Sequence, residues 1–381
     1  MPNPAPSRKT RKGQRVGRTR RGAAMPLDRP LSPNSKPCFG LTLGDPAGIG
    51  PEVAVRAALS EEVRDVCRPM LVGPLATVKM VAALIDKDIR VHRLVDGSYP
   101  PDEVHENEVY AHAVPLNGKV HTGEASAAGG RAAYSSLLWA IDKALGGQID
   151  AIVTAPLNKA SLRKAGVELP GHTEILAERC GVEPDDVAMM LYLPPGDPAV
   201  GANGLGVAHV TLHQSVATVA DCLTTPAILA KILLLDEFLK NTGVAKPRIA
   251  VAALNPHGGE AGLFGTEEDE VIRPAVEDAG NSGVIAEGPL PVDTLFRRTL
   301  AGREFDGVVC MYHDQGHIPI KLVAFDRAVN VTLGLPIVRT SPSHGTAYDI
   351  AWTGHADARG MIAAALTADR LYRYSRVKQA G

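Results

Sequence analysis

The chain has 381 residues, of which 45% are hydrophobic, 22% charged and only 4% aromatic, a composition typical of a soluble globular protein with an aliphatic core. No apolar run reaches about eighteen residues, so no membrane span is predicted. The five cysteines are scattered and form no CxxC pair. This spacing argues against a disulfide framework or a zinc–thiolate site and favours a reducing, cytoplasmic location.

The net charge of −2 conceals a basic leader, residues 1–36, with ten Lys/Arg and one acidic residue. The rest of the chain holds 30 basic and 41 acidic residues. The leader is rich in Pro, Gly and Arg and lacks an apolar segment, so it is predicted to be disordered and not a secretory signal. We interpret it as a neutral extension, with Met25 as an alternative start and a nucleic-acid-binding tail as the other hypothesis. The acidic body argues against nucleic acid as the main partner.

Short apolar runs alternate with longer amphipathic ones along the body of the chain. The predicted strands are 38–44, Met70–Gly73, Ile149–Pro156, 186–193, 205–212, Pro247–Leu254 and Phe305–Tyr312. The predicted helices are 51–59, 75–85, 125–145 and one or two within 215–241. Strands that alternate with helices predict an α/β fold with mostly parallel sheets.

Five polar clusters directly follow predicted strands: Gly44–Glu52 ("GDPAGIGPE"), Ala155–Lys159 ("APLNK"), His213–Ser215 ("HQS"), Asn255–Glu260 ("NPHGGE") and His313–His317 ("HDQGH"). Ligands of open α/β sheets bind beyond the carboxyl ends of strands, so the clusters predict one convergent site. The glycines of the first cluster either expose backbone N–H groups to an anion or make a tight strand-to-helix turn. It matches neither a dinucleotide-binding fingerprint nor a P-loop.

Three of the twelve histidines, His213, His257 and His313, each follow an apolar run. Imidazole is a good ligand for divalent ions, and a catalytic metal needs three protein ligands with an open position. The spacings match no short metal motif, so the residues alone leave ordinary histidines as the alternative. His313 and His317 would share one face of a helix, but Gly316 and Pro319 predict that no helix forms there.

Lys321, Asn330 and Arg339 offer the cations and donors that a phosphate-bearing substrate needs, although each alone is typical of a solvated surface. The later segment Ser343–Asp357 combines a glycine-containing loop with the acid Asp349. An acid near a dinucleotide can bind the ribose hydroxyls of NAD. The alternative is that Asp349 is simply exposed.

These motifs together resemble the 4-hydroxythreonine-4-phosphate dehydrogenase family from about residue 40 to residue 360. The matching pieces are "GDPAGIGPE", "APLNKASLRKAG", "PGHTEILAE", "ALNPHGGEAGLFGTEE", "GPLPVDTLF", "MYHDQG", "VNVTLGLPIVRTS" and "HGTAYDIA". The resemblance implies NAD-dependent oxidation of a secondary alcohol, assisted by a divalent ion (Zn, Mg or Co), and loss of CO₂, as in pyridoxal phosphate biosynthesis. It further implies a homodimer with sites at the subunit interface.

The implied fold has two α/β/α lobes, similar to isocitrate and isopropylmalate dehydrogenases, with the active site in the cleft. One lobe comprises residues 37–125 and 325–381, on the cofactor side. The other comprises residues 126–324, on the metal, substrate and dimer side.

The resemblance also assigns roles residue by residue. The metal ligands are His213, His257 and His313. The substrate contacts are His172, Thr173, Lys321, Asn330 and Arg339. The cofactor contacts are His344, Gly345, Ala347 and Asp349. Lys159 and Asp293 are candidate bases, and Asp314 also matches a position lining the site. His209 falls on an apolar position of the family and is interpreted as structural.

The chain departs from the best-known form of the family at "HDQGHIPIK", where "HDQGLPxLK" is usual, so His317 replaces leucine. The departure is similar to the catabolic branch that oxidises 4-phospho-D-threonate or D-erythronate. A relative that oxidises a cis-dihydrodiol in the terephthalate pathway is a further alternative, but it lacks the phosphate pattern. Trp352 stands where glycine is usual, and "SPSH" replaces the commoner "SVDH". A non-catalytic binding protein would be expected to lose one of the matched ligands, and none is lost.

Overall fold

The computed structural model describes residues 35–169 and 171–380. The predicted disordered leader therefore lies almost wholly outside the described residues. Within them, no single helix is long and apolar enough to cross a membrane. The two helical segments Val216–Cys222 and Thr225–Asn241 reach the length and apolar composition of a membrane span only when taken together, and a bend of 93° separates them.

One continuous sheet of twelve strands organises the molecule, in the order β3-β4-β2-β1-β5-β12-β11-β6-β7-β10-β8-β9. The strands are β1 Cys38–Thr42, β2 Arg68–Gly73, β3 Arg90–Leu94, β4 Glu108–Ala113, β5 Ala151–Thr154, β6 Ala188–Leu193, β7 Leu205–His209, β8 Arg248–Ala252, β9 Ile285–Leu290, β10 Gly307–Cys310, β11 Val329–Leu333 and β12 Arg339–Pro342. Each predicted strand is present, and helices accompany the sheet, so the α/β class is confirmed.

The centre of the sheet reverses direction. Strand β11 runs antiparallel to both β12 and β6, and β6 runs antiparallel to β7, whereas the other pairings are parallel. The carboxyl ends of β1 and β5 therefore lie at one edge of the sheet, and those of β7, β8 and β10 at the opposite edge. The five polar clusters consequently follow strands that end at two different edges, although Ala155–Lys159, His213–Ser215 and His313–His317 each contribute residues to one cavity.

The helices are α1 Gly50–Leu59, α2 Glu61–Val66, α3 Leu75–Ile85, α4 Ala127–Leu145, α5 Lys159–Lys164, α6 His172–Cys180, α7 Val219–Cys222, α8 Thr225–Asn241, α9 Arg273–Asn281, α10 Val292–Leu300, α11 His313–Ala324 and α12 Arg359–Ala380. Local sequence explains several of their beginnings. Pro51 occupies the first turn of α1, where its missing N–H costs no hydrogen bond. The Ser126 hydroxyl caps α4 by accepting from the Gly129 amide, and Thr224 caps α8 in the same way.

The buried apolar side chains form three clusters. One extends beneath both halves of the sheet and includes Phe39 and Val309. The other two each belong to one half, around Ile152 in the first and around Leu191 in the second. A cleft between these two separate cores is where the central strands remain open to a ligand. The predicted two-lobed division of the chain stays a prediction.

The prediction that no helix forms around His313–His317 is wrong, because α11 runs through both Gly316 and Pro319. A Cβ at Gly316 would lie 2.5 Å from His209 Nε2 and 2.8 Å from Val207 Cγ1. The glycine therefore allows α11 to approach β7 closely, and is not a helix breaker. Proline inside a helix costs about 3 kcal/mol, and burial of Ile320 and Ala324 against the sheet offsets that cost.

Candidate active site

A cavity of about 190 Å³ crosses the central strands. Its floor comes from Thr154 on β5, Leu191 on β6, Asn330 on β11 and Arg339 on β12. The structure gathers eight predicted site residues along its wall: Lys159, His172, Thr173, His213, Asn330, Arg339, His344 and Gly345. Residues from both halves of the sheet therefore meet here, as expected for a ligand bound in the cleft.

Arg339 is the dominant charge of the cavity. Its side chain is 2% exposed, and its guanidinium donates to the hydroxyls of Thr154 (2.6 and 3.1 Å) and Thr332 (3.0 Å). Within residues 35–169 and 171–380, no carboxylate lies within ion-pair distance of it. Burial lowers its pKa to about 9. Neutral hydroxyls do not fully compensate the desolvation cost of a buried cation. The cavity is therefore suited to an anionic ligand.

The amino-terminal end of α6 faces the same cavity through Gly171, His172, Thr173 and Glu174. Gly171 has no side chain to cap the helix, so the first amide donors of α6 are available to a ligand. Helix N-termini favour anions. Burial, and then the charge of Arg339, hold the pKa of His172 well below its usual value. His172 is therefore neutral at physiological pH.

Asn330 and His344 each carry a buried polar atom without a partner among the described residues. Both line the cavity, where Asn330 Oδ1 and His344 Nε2 need a hydrogen-bonding ligand. Such orphaned atoms are expected at a binding site and are costly elsewhere.

Four imidazoles cluster around α11: His213 and His317 line the cavity, whereas His209 and His313 do not. The ring centroids of His213 and His313 are 6.1 Å apart, and those of His313 and His317 are 3.7 Å apart in a stacked arrangement. His317 Nδ1 is 3.2 Å from His209 Nε2. Burial, followed by the charge of Lys159, lowers the pKa of His213. Burial also lowers the pKa of His209 to about 4 and that of His317 to about 2.

The predicted third metal ligand, His257, lies in a second cavity of about 510 Å³ together with Asp293 and Asp314. Its backbone is left-handed, with φ 53°, and its Nδ1 is 3.1 Å from Glu260 Oε1. No group of three His, Cys, Asp or Glu placed to hold a metal occurs in the part of the chain that the structure describes. One chain therefore brings two of the three histidines together and leaves His257 apart.

Lys321 and the end of the predicted cofactor segment line neither cavity. Lys321 lies on α11, where burial lowers its pKa against the opposing charge of Asp314. Ala347 has a positive φ of 38°, and Asp349 is exposed. Of the four predicted cofactor contacts, His344 and Gly345 are in the main cavity.

The glycine-rich "GDPAGIGPE" turn is bonded to this cofactor segment. Asp45 accepts from Tyr348 Oη (2.7 Å) and from the Ala47 amide (2.9 Å), and Trp352 Nε1 donates to the Pro46 carbonyl (3.0 Å). The structure thus shows the tight-turn alternative, because the turn's polar groups are occupied by the protein itself. Trp352 has φ 61°, which explains why glycine suits this position.

The lining residues that sequence reasoning missed include Thr154, Glu174 and His317. Glu174 belongs to the quoted "GHTE" motif and Thr154 ends a predicted strand, so both carried a positional signal. The spacing of His317 from His313 places both on one face only if the segment is helical, so the sequence gives no signal for His317 unless that helix is predicted.

A sequence model of the family described as pyridoxal phosphate biosynthetic protein PdxA matches residues 65–368. The chain belongs to the PdxA family. It is a dehydrogenase, an oxidoreductase that acts on a CH–OH group, as the resemblance predicts.

Named relatives of this PdxA-family chain are similar along most of their length. The 4-hydroxythreonine-4-phosphate dehydrogenase of Desulfosudis oleivorans is 44% identical, over 87% of this chain and 95% of that protein. The D-threonate 4-phosphate dehydrogenase of Salmonella typhimurium is 42% identical, over 84% and 94%. The crystal structure of a 4-hydroxythreonine-4-phosphate dehydrogenase from Klebsiella pneumoniae superposes with a TM-score of 0.75 at 38% identity, covering 88% of this chain and all of that one.

Proposed function

We propose that this dehydrogenase oxidises and decarboxylates a 4-phosphorylated 3-hydroxy acid, using NAD and one divalent metal ion, in the cytoplasm. The principal substrate hypothesis is 4-phosphooxy-L-threonine, as in pyridoxal phosphate biosynthesis. The alternative is the catabolic substrate 4-phospho-D-threonate or D-erythronate, favoured by one observation, the entry of His317 into the cavity. The unphosphorylated dihydrodiol dicarboxylate is a weaker alternative because the chain retains Asn330 and Arg339.

The observation that carries the proposal is the buried, unpaired guanidinium of Arg339 opposite the open amino-terminal end of α6. Forked guanidinium donors and helix amides both recognise phosphate. A phosphate held between them fixes one end of the substrate. The binding energy of that remote group can then orient the reacting carbon.

The metal proposal fits His213 and His313. Two imidazoles that share one zinc ion at about 2.1 Å from each nitrogen have centroids no more than about 6.5 Å apart, and these rings lie 6.1 Å apart. The lowered pKa of His213 keeps its ligating lone pair free of a proton. A divalent ion held there would supply Lewis-acid polarisation of the substrate hydroxyl.

His257 would complete the ligand set only if a second copy of the chain, or a movement of the 255–260 segment, brought it to the other two histidines. We favour a second copy, because apolar side chains near the second cavity are open to solvent. Ile318 is 55% exposed and Leu322 is 80% exposed on α11. Large exposed apolar patches usually mark surfaces that bind another protein. These exposed side chains therefore support a homodimer with sites at the interface.

The dinucleotide proposal rests on His344 and Gly345 at the cavity edge. The unpartnered His344 Nε2 fits a hydrogen-bonding cofactor, and the exposed carboxylate of Asp349 suits ribose hydroxyls. Lys159 lines the same cavity as His213 and, in its neutral form, would accept the hydroxyl proton at Nζ. Asp293, in the second cavity with His257, is the other candidate base.

The proposal is tested by assaying NAD reduction with 4-phosphooxy-L-threonine and 4-phospho-D-threonate, with and without added divalent metal. Wild-type protein should oxidise at least one of them, and only with metal present. Arg339→Met should lower kcat/KM by about 100-fold, since charge-assisted hydrogen bonds contribute about 1.5–3 kcal/mol each.

Arg163→Met, an exposed change on α5, is the matched control and should be neutral. Arg339→Lys should be intermediate, because it keeps the charge and loses the fork. Folded wild-type protein that oxidises neither substrate with metal present would refute the proposal, as would an Arg339→Met variant with unchanged kcat/KM.

A further inference from the structure

The buried pair His209–His317 extends from the interior of the second half of the sheet to the cavity wall. His209 Nδ1 lies 3.3 Å from the Met189 carbonyl oxygen, and His209 Nε2 lies 3.2 Å from His317 Nδ1. His317 Nδ1 is also 3.1 Å from the His313 carbonyl oxygen. His317 is 5% exposed and lines the cavity.

These contacts fix where the protons reside. A carbonyl oxygen only accepts, so His209 Nδ1 must carry a hydrogen and donate to Met189. A neutral His209 has no second ring hydrogen, which makes its Nε2 an acceptor. His317 Nδ1 then lies between two acceptors, His209 Nε2 and the His313 carbonyl, and must itself be the donor.

His317 is neutral for the same physical reason as His209. Its side chain is 5% exposed and contacts His209 and His313, and no carboxylate contacts it in the described part of the chain. A charge there would be uncompensated. The one proton of His317 is therefore on Nδ1, and its Nε2 bears a free lone pair.

Among the described residues, His317 Nε2 has no hydrogen-bond partner, although the side chain is more than nine-tenths buried. It is the ring nitrogen left to face the cavity, since Nδ1 is engaged on the other side. The buried cation Arg339 also lines this cavity, so a free acceptor there is suited to a neutral donor. A substrate hydroxyl meets that requirement.

We propose that His317 is a substrate-recognition residue whose Nε2 accepts a hydrogen bond from the hydroxyl on the carbon next to the substrate carboxylate, and that His209 is the positioning residue that holds this tautomer. The inference rests on the proposed function, because it assumes a 4-phosphorylated hydroxy acid in this cavity.

Elimination selects that hydroxyl. The phosphate and the carboxylate only accept hydrogen bonds, and the hydroxyl at the oxidised carbon loses its proton in the reaction. The remaining donor is the substituent on the carbon next to the carboxylate, a hydroxyl in 4-phospho sugar acids and an ammonium in 4-phosphooxy-L-threonine. A neutral imidazole accepts from either, but an ammonium adds a second positive charge to the cavity that holds the buried Arg339. The pair therefore favours the alternative substrate, the hydroxy acid, over the principal one.

The test compares kcat/KM for 4-phospho-D-threonate and 4-phosphooxy-L-threonine in wild type, His317→Leu and His317→Gln. Wild type should prefer the hydroxy acid. His317→Leu should lose about 10- to 100-fold on the hydroxy acid, the effect of one hydrogen bond with its partner left unpaired, and less on the amino acid. His317→Gln, which keeps an acceptor, should recover part of the preference.

A second measurement needs no cavity variant. Nitrogen-15 NMR of histidine-labelled wild-type protein without metal should show His317 with a protonated Nδ1 and an unprotonated Nε2. Addition of 4-phospho-D-threonate without NAD should shift the Nε2 resonance. In His209→Leu only the His313 carbonyl still accepts from Nδ1–H, so the share of the Nδ1–H form should fall, which a merely structural role for His209 would not produce.

The outcomes separate the two proposals. Wild type that oxidises neither substrate refutes the proposed function. Wild type that oxidises one of them, with the same substrate ratio in His317→Leu, overturns the recognition role. An unshifted Nε2 resonance on substrate addition overturns it as well, even if His317→Leu fails to fold.

Discussion

At the scale of single residues, burial controls the charges that matter. The cavity combines one buried cation, Arg339, with imidazoles whose pKa is lowered, including His172, His213 and His317. Neutral imidazoles suit metal ligation and hydrogen-bond acceptance, and a desolvated guanidinium suits phosphate. The same burial makes the protein sensitive to acid.

His209 should contribute measurably to that sensitivity. Its pKa is lowered to about 4 in the fold and is about 6.5 when unfolded, so below pH 6.5 the unfolded state binds the extra proton. Stability contributed by neutral His209 is thus present above pH 6.5 and is lost as the pH falls toward 4, by up to about 1.4 kcal/mol per pH unit.

Urea unfolding of metal-free protein at pH 5, 6 and 7 measures this effect. Between pH 6 and 5 the free energy of unfolding of His209→Leu should fall less steeply than that of wild type. The difference between the two slopes should correspond to at most one bound proton. The exposed His121→Ala variant is the control and should match the wild-type slope. Identical slopes for wild type and His209→Leu would contradict the assignment.

At the scale of elements, α11 does most to build the site. It places His313 and His317 on one face, Asp314 toward the second cavity and apolar side chains toward solvent. Its sequence contains both residues that usually end helices, and tertiary packing overrides them. Local sequence pattern could not predict that α11 is a helix. Apolar periodicity alone was enough to predict α3, whose residue limits match the prediction.

The close approach of α11 to β7 predicts opposite effects for two glycine substitutions. Gly316→Ala would gain helix propensity but drive a Cβ to 2.5 Å from His209 Nε2, so we expect a net destabilisation of about 1–3 kcal/mol. Gly280→Ala on α9 meets nothing within 4 Å and should be neutral or stabilise by up to about 1 kcal/mol. Urea unfolding of both variants checks this, and a Gly316→Ala variant as stable as wild type would disprove the packing argument.

At the scale of the whole molecule, the reversal at β11 and β6 sets where the site lies. Two separate cores on one face leave a cleft over β12 and β11, while the third core joins both halves on the other face. The cleft collects Arg339, Asn330 and His213 but leaves His257 outside. Because one chain brings only two of the three proposed metal-binding histidines together, we propose that a second chain supplies the third.

Mixing two inactive variants tests that arrangement. If each site takes His213 and His257 from different chains, a heterodimer of His213→Ala and His257→Ala contains one intact site. Unfolding and refolding an equal mixture should then restore about a quarter of wild-type activity, because half of the dimers are mixed and each has one site. No recovery from a mixture that refolds to dimers would place both ligands on one chain.

The sequence by itself determined the α/β class, seven of the twelve described strands, five of the twelve described helices, and the family, because these depend on local periodicity and on motifs such as "GHTE" and "MYHDQG". It also identified Arg339, Asn330 and His213, which do line one cavity. Only the tertiary structure decided the reversed central strands, the helix through Gly316 and Pro319, and the free Nε2 of His317. Strand direction and ring tautomer depend on contacts between residues far apart in the chain, such as His209 and His317. Local sequence pattern does not predict those contacts.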